Sequence, residues 1–304
     1  MSILTERTLQ KEGKKVRQNL LSDGTGEEPV VITVAFLGEA GSFSSQVARQ
    51  TFSRDMQYLS CTSFRHIFES VMKGNATHGI LPLENTITGS IHGNYELLLE
   101  YPEVSVVGER FIKVSQHFAL YPGTSRDNIE VLFAHPQGFA QCSRFLETLK
   151  RKRIMNVGNT EEAARRTAEF GMGAACITSS ESITKYYLTL VEEDIEDQIR
   201  NFTRFIIFSR FHRPSLDNDK ISCVFALQDR PGTLYECLKV FSEHSINIIK
   251  LESKPIPGKP WEYLFYVDWE GNMLEDRYQK AVDELRTKTV FLRILGCYKN
   301  MWKK

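Results

Sequence analysis

The stretch Asn201–Arg210, NFTRFIIFSR, sets a neutral amide, a hydroxyl and a cation (Asn201, Thr203 and Arg204) at the head of the apolar run Phe205–Phe208. A strand edge emerging into water would account for them. The alternative is a site that holds an anion and hydrogen-bonds a leaving group, which is work for fixed donors and dipoles. Four other stretches offer related groups. In GEAGSFSSQ, Gly38–Gln46, Gly41 permits a tight approach, and Ser42 and Ser44 precede a helix whose open N–H groups and dipole favour an anion. Capping of that helix explains the same serines. In LPLENTITGSIHGN, Leu81–Asn94, an acid, an amide and a hydroxyl (Glu84, Asn85, Thr86) follow one another at a strand's end, with Gly89 and Ser90 before a helix. Solvation of Glu84 and capping by Thr86 are the plain alternatives. AHPQGFAQC, Ala134–Cys142, reads as a turn at His135-Pro136 with Gln137 opening a helix. GNTEEAA, Gly158–Ala164, reads as mainly structural, with Thr160 as a helix cap and Glu161 and Glu162 in the first turn.

The chain contains no P-loop, GxGxxG, nucleophile elbow or catalytic Cys–His signature. Its seven histidines lack ligand spacing, and Cys61, Cys142, Cys176, Cys223, Cys237 and Cys297 are scattered without a CxxC pair. Buried, reduced thiols are expected, with no disulfide framework, no zinc and no other metal. The set therefore predicts a cofactor-free cleft of hydroxyls, amides and helix N-termini that binds a small anion. Lys+Arg and Asp+Glu are both 38, a balance with no electrostatic footprint for nucleic acid or an anionic membrane. No apolar run is long enough to span a bilayer, and the charged N-terminus, with Glu6 and Glu12, lacks the apolar stretch of a signal peptide. A cytoplasmic protein is expected.

These residues need elements to position them. At 304 residues the chain is too long for one core and implies two or three domains. Residues 1–29 lack a core pattern and read as a weakly tethered arm. From Val30 the rhythm is strand then helix: VVITVAFLG, SFSSQVARQTF, MQYLSCT, SFRHIFESVMKG, HGILPLEN. It restarts after FIKVSQHFALYPG with IEVLFAHPQGFAQCSRFLETL, RIMNVGNTEEAARRTAEFG and AACITSSESITKYYL, and NFTRFIIFSR follows as a strand. Such alternation builds right-handed βαβ units, and two α/β lobes with the chain crossing and returning leave a cleft. Lobe 1 is expected at about 30–113 and 201–212 and lobe 2 at about 114–200, with a polar linker at 213–219. Residues 220–304 read as strand, helix, strand, strand, helix, strand, the ferredoxin-like order βαββαβ.

Taken in order, these stretches resemble prephenate dehydratase from about Ile32 to Tyr298. The family's Gly-Thr-Phe-Ser is matched by Gly41–Ser44, its Pro-x-Glu-Asn-Ser with a downstream Gly by Pro82, Glu84, Asn85, Thr86 and Gly89, and its His-Pro-Gln with Gln-Cys by His135–Gln137, Gln141 and Cys142. Its Asn-x-Thr-Arg-Phe is met in full by Asn201, Thr203, Arg204 and Phe205. Ser45 stands where the family often has His, so no proton-transfer role falls there, and Thr86 stands where Ser is commoner. The resemblance implies two α/β lobes of the type II periplasmic-binding-protein kind at 30–212 and an ACT regulatory domain at 220–304. It implies conversion of prephenate to phenylpyruvate, with Thr203, Glu84, Asn201 and Arg204 in catalytic roles. Ser42, Phe43, Ser44, Asn85, Thr86, Gly89 and Phe205 would contact substrate. Thr203 would hydrogen-bond the departing oxygen, with the proton arriving through water or Glu84. Feedback by L-Phe would act through Gly232, Thr233, Leu234, Glu252 and Ser253, although Thr233 and Lys254 replace the family's Ala and Arg. A homodimer or homotetramer is implied, and the arm before Val30 is too short for the chorismate mutase domain of bifunctional relatives. Arogenate dehydratase, whose choice residues near Gly138, Phe139 and Ala140 would tune, and a non-catalytic amino-acid sensor are the rival readings.

Overall fold

Residues 32–302, other than 40, 53–55, 150–152, 199, 213, 257 and 259–261, are described by the structure, a computed structural model. The arm expected at 1–29 lies outside the described residues. The chain divides into two compact units, Thr33–Leu97 with Arg110–Phe205, and Leu98–Glu109 with Ile206–Lys304.

The first unit opens with β1 (Thr33–Leu37), α1 (Phe43–Thr51), β2 (Gln57–Cys61), α2 (Phe64–Met72) and β3 (His78–Asn85). β1 pairs in parallel with both β2 and β3. Helix starts are set by serines: Ser42 Oγ accepts from Ser45 N–H, and Ser63 Oγ from His66 N–H. α2 buries Ile67, Phe68 and Val71 on one face. After β3 come the short β4 (Gly89–Ser90), antiparallel to β3, then α3 (His92–Glu100) and β5 (Ser105–Lys113). The rhythm then restarts with β6 (His117–Leu120), β7 (Val131–Ala134), α4 (Pro136–Gln141), α5 (Ser143–Thr148), β8 (Arg153–Asn156), α6 (Thr160–Phe170), β9 (Ala174–Thr178), α7 (Ser180–Lys185), β10 (Thr189–Glu192) and β11 (Phe202–Ser209). Strands β6 to β10 give a sheet of order β10-β6-β9-β7-β8, parallel from β9 to β8 and antiparallel at β6. Phe118, Leu132, Phe145 and Ile177 form the core under one side, and Ala163, Ala164, Cys176 and Ile183 under the other. A strand covered on both faces, such as AACIT at Ala174–Thr178, reads as a nearly continuous apolar run for this reason.

The second unit holds β12 (Lys220–Ala226), α8 (Thr233–Glu243), β13 (Ile248–Pro255), β14 (Tyr263–Glu270), α9 (Asp276–Lys288) and β15 (Phe291–Tyr298). The strand order β13-β14-β12-β15, antiparallel throughout, is the expected βαββαβ arrangement. Trp269, Phe241, Phe225 and Leu285 sit in its core. This compact unit reaches further than the 220–304 read from sequence, because residues 98–109 and 206–219 group with it, the latter including part of the 201–212 segment expected in lobe 1. Arg293 donates to the carbonyls of Leu98, Tyr101, Pro102 and Val104. β15 meets β5 at Gly296 and Val106 so closely that a Cβ on Gly296 would lie 2.1 Å from the Val106 carbonyl oxygen. The polar linker signal of FHRPSLDNDK was visible in composition, whereas these contacts between distant segments were not.

Candidate active site

Strand alternation decides which polar side chains meet. Along Asn201–Arg204 and Glu84–Asn85, Asn201 and Thr203 meet Asn85, while Arg204 meets Glu84, its guanidinium 3.5 Å from the carboxylate. Asn85 is buried and central. Its Oδ1 accepts from the backbone N–H groups of Ile87 at 2.9 Å and Thr88 at 3.0 Å, which fixes Nδ2 as the donating end of the amide. Nδ2 donates to Asn201 Oδ1 at 2.7 Å, to Thr203 Oγ1 at 3.0 Å and to the Phe202 carbonyl at 3.2 Å. Thr203 Oγ1 is thus an acceptor already, and its own O–H has no acceptor among the described residues.

Thr86 does something else. Its hydroxyl donates to the Arg200 carbonyl and accepts from Phe202 N–H, both at 2.9 Å, so it stitches the turn after β3 to the chain entering β11. Gly89, with φ of 77°, closes the β3–β4 hairpin by pairing with Asn85. Phe205 is in the core.

Beside Thr203 lies a cavity of about 910 Å³. It is lined by Asn85 and Thr203, by Ser42, Phe43 and Ser44 at the start of α1, and by segments at the starts of α4 and α6. Glu84, Thr86, Gly89, Asn201, Arg204 and Phe205 do not line it. The reason for Glu84 and Arg204 is the alternation above: both follow the opposite side of their strands from Asn85 and Thr203. The opening turn of α1 presents the N–H groups of Phe43 and Ser44, which no helical carbonyl can reach. At Gly41 it is the backbone that calls for glycine: φ is 111°, while a Cβ there would stand at ordinary contact distance, 3.4 Å from Ser182 Oγ and 3.5 Å from Glu161 Cγ.

The α6 end contributes more than the capping expected. The cap is Asn159, one residue earlier than Thr160; its Oδ1 accepts from Glu162 N–H at 2.7 Å, and Glu162 Oε2 returns to Gly158 N–H at 2.9 Å. That backbone hydrogen bond, with Arg166 and Arg165 nearby, holds Glu162 below the usual carboxylate range, so at neutral pH it is no proton donor. Glu161 is buried against Lys185 at 2.6 Å and Tyr186. Gly158, Asn159, Thr160, Glu161 and Glu162 all line the cavity, a placement their capping pattern did not reveal. Gln116 lines it too, and was not singled out in sequence; a glutamine inside VSQHFAL was its one trace. Burial, with Glu196 and Asp197 adding to it, pushes the Cys142 thiol up to about 12, which leaves no thiolate nucleophile there. Among the described residues no group of His, Cys, Asp and Glu is arranged to hold a metal.

The residues expected to carry an L-Phe site lie at two places in the second unit. Gly232, at φ of 87°, precedes α8 with no side-chain cap, and the Thr233 hydroxyl donates to the carbonyls of Gln228 and Arg230. Leu234 follows it, half-buried in the first turn. Glu252, paired with Lys250, and Ser253 lie on β13, at the end of the strand order.

A family model described as prephenate dehydratase matches residues 34–213. A bifunctional chorismate mutase/prephenate dehydratase of Aquifex aeolicus is 35% identical over 268 residues, covering 88% of this chain and 73% of that protein. An arogenate dehydratase/prephenate dehydratase 1 of Arabidopsis thaliana, described as chloroplastic, is 32% identical over 314 residues, covering 98% of this chain and 79% of that protein. Among solved structures, a prephenate dehydratase of Arthrobacter aurescens in complex with L-Phe has a TM-score of 0.80 at 26% identity, covering 90% of this chain and 91% of that one.

Proposed function

Because the chain belongs to the prephenate dehydratase family, we propose that the cavity beside Thr203 carries out the decarboxylative dehydration of prephenate to phenylpyruvate. The ring carboxylate leaves as carbon dioxide, and its electron pair enters the ring. The carbon–oxygen bond opposite breaks with its own pair, and the departing hydroxide takes up a proton and leaves as water. The ring becomes aromatic, so no redox partner and no covalent intermediate is required. The protein has to bind two carboxylates, hold the ring and hydrogen-bond the leaving oxygen.

The observation that carries this reading is the state of the Thr203 hydroxyl. Asn85 Nδ2 occupies its acceptor side at 3.0 Å, which directs its O–H outward to the leaving oxygen. Thr203 is far too weak an acid to release that proton itself, so water in the cavity completes the transfer. Asn201 and Asn85 orient Thr203. The first turn of α1, with Ser42, Phe43 and Ser44, receives a carboxylate. Glu84 and Arg204 brace the strand ends from the other side, and Thr86 and Gly89 set the turn that presents Asn85.

Control by L-Phe through the second unit is part of the same proposal. Its support is the ferredoxin-like topology, the open helix start at Gly232, and a structural relative, the Arthrobacter aurescens prephenate dehydratase, solved in complex with L-Phe. The family resemblance further favours a homodimer or homotetramer, and the six buried free cysteines fit a reducing cytoplasm.

The test is phenylpyruvate formation from prephenate by purified protein, with and without L-Phe, beside Thr203→Ala. Product that falls with L-Phe supports both halves. Thr203→Ala should lose about a hundredfold or more in kcat while still binding prephenate. Turnover within a few fold of wild type would remove Thr203 from the mechanism.

A further inference from the structure

Among the described residues, the cavity-lining side chain with a buried polar atom left unpaired is Gln116. The residue is only 4% exposed, and its Oε1 makes no hydrogen bond. It is also held with care. Its N–H donates to Glu196 Oε2 at 2.9 Å, and its carbonyl accepts from Ile195 N–H at 2.9 Å. Glu196 is itself buried and faces Lys113 at 3.5 Å. Two residues back, Val114 N–H donates to the Asn201 carbonyl at 2.8 Å, which ties this segment to the strand carrying Thr203. A rigid backbone thus delivers an amide with an open hydrogen-bonding end to the cavity, an arrangement that costs free energy until something pairs with it.

On the footing of the dehydratase reading, we propose that the Gln116 carboxamide contacts the substituent at C2 of the substrate's three-carbon side chain, and that its neutrality leaves that position open to either a 2-oxo or a 2-amino acid. The other substrate groups have better-matched partners. The carboxylates are anions and suit helix N-termini; the leaving oxygen is assigned to Thr203. The C2 substituent remains, and it differs between the two substrates only there: an oxygen that accepts, or an ammonium that donates. A carboxamide has an acceptor at one end and two donors at the other, and turning it over exchanges them. A neutral amide therefore meets either group, whereas a charged side chain at the same place would choose.

Two isosteric variants separate the possibilities: Gln116→Met removes both ends, and Gln116→Glu replaces the donor end with negative charge. Each is assayed with prephenate and with arogenate, its 2-amino counterpart, after thermal unfolding has established that it is folded. Gln116→Met should raise KM for prephenate about tenfold, with kcat within about twofold of wild type. Gln116→Glu should shift the ratio of kcat/KM toward arogenate by about tenfold or more. Equal losses on both substrates in Gln116→Glu, or an unchanged prephenate KM in Gln116→Met, would overturn the assignment. Should Gln116→Glu fail to fold, the Gln116→Met result decides alone. Wild-type protein inert toward both substrates overturns the dehydratase reading and this inference with it, whereas an active wild type indifferent to Gln116 overturns the inference only.

Discussion

Two buried polar clusters, one in each compact unit, are built on opposite plans. The cluster around Asn85 is neutral: amides and a hydroxyl, oriented by backbone N–H groups, with Thr203 at a cavity wall. The cluster around Lys220 is ionic and closed. Lys220 Nζ lies 2.9 Å from Glu109 Oε2 and 3.6 Å from Asp268 Oδ2, and Glu109 is completely buried. Ser222 Oγ donates to Asp268 and contacts the Tyr298 hydroxyl, and Met301 N–H donates to Glu109. Charge of this kind stays buried only when every member is paired. The neutral cluster leaves the Thr203 proton and the Asn201 Nδ2 protons without an acceptor among the described residues, and of the two only Thr203 lines the cavity, where a reaction can use it. Burial of polar groups therefore marks a candidate site only together with an unfilled valence on a cavity.

The largest test of this contrast is Lys220→Met, which removes one partner and leaves carboxylates buried beside an apolar chain. Urea unfolding should show a loss of about 3–5 kcal/mol, and the double variant Glu109→Gln with Lys220→Met should recover part of it. A loss below about 1 kcal/mol would mean that water reaches the cluster and that its closure is not real.

The neutral cluster should respond in activity more than in stability. Asn85→Asp keeps the shape but exchanges the donating end for an acceptor that faces Asn201 Oδ1 and Thr203 Oγ1. The Thr203 hydroxyl then turns its proton toward the new carboxylate and away from the cavity. Stability should fall by about 1–3 kcal/mol, while kcat with prephenate should approach that of Thr203→Ala. A variant that loses stability but retains kcat would show that the direction of the Thr203 proton is immaterial.

Much of this was legible in the chain. The βαβ rhythm and the βαββαβ order were carried by apolar runs and by serine caps such as Ser42, which are local signals. Asn85 and Thr203 were legible as an amide and a hydroxyl at strand ends. What residue types do not disclose is the side to which each points. Glu84, Asn85 and Thr86 read as one acid–amide–hydroxyl set, yet the pleat sends Asn85 toward the cavity and leaves Glu84 with Arg204 and Thr86 with the backbone of Arg200 and Phe202. Gln116 was hidden for a different reason: its significance is that its side-chain Oε1 has no hydrogen-bond partner, and an absent partner leaves no pattern in a sequence. The membership of residues 98–109 in the second unit rests on long-range contacts of Arg293 and Gly296, which are equally silent.

The smallest expected effect concerns the cap of α6 at the cavity edge, where structural and functional roles coincide. Glu162 is held below its ordinary carboxylate range first by Gly158 N–H and then by Arg166 and Arg165. A lowered folded value means that the unfolded chain binds its proton first as pH falls. The stabilisation is therefore complete above the ordinary glutamate value of about 4.3, and it is lost as pH drops through the lower folded value. Because Glu162 is only partly buried, with its side chain 27% exposed, solvent screens its partners and the amount is small, about 0.2–1 kcal/mol. Glu162→Gln should be less stable than wild type by that amount at pH 7, and the two unfolding curves should converge as pH falls below about 4. Convergence with unaltered prephenate KM at pH 7 would leave Glu162 a cap and nothing more. A changed KM at neutral pH, with the same small stability difference, would bring the α6 end of the cavity into substrate binding alongside the α1 end.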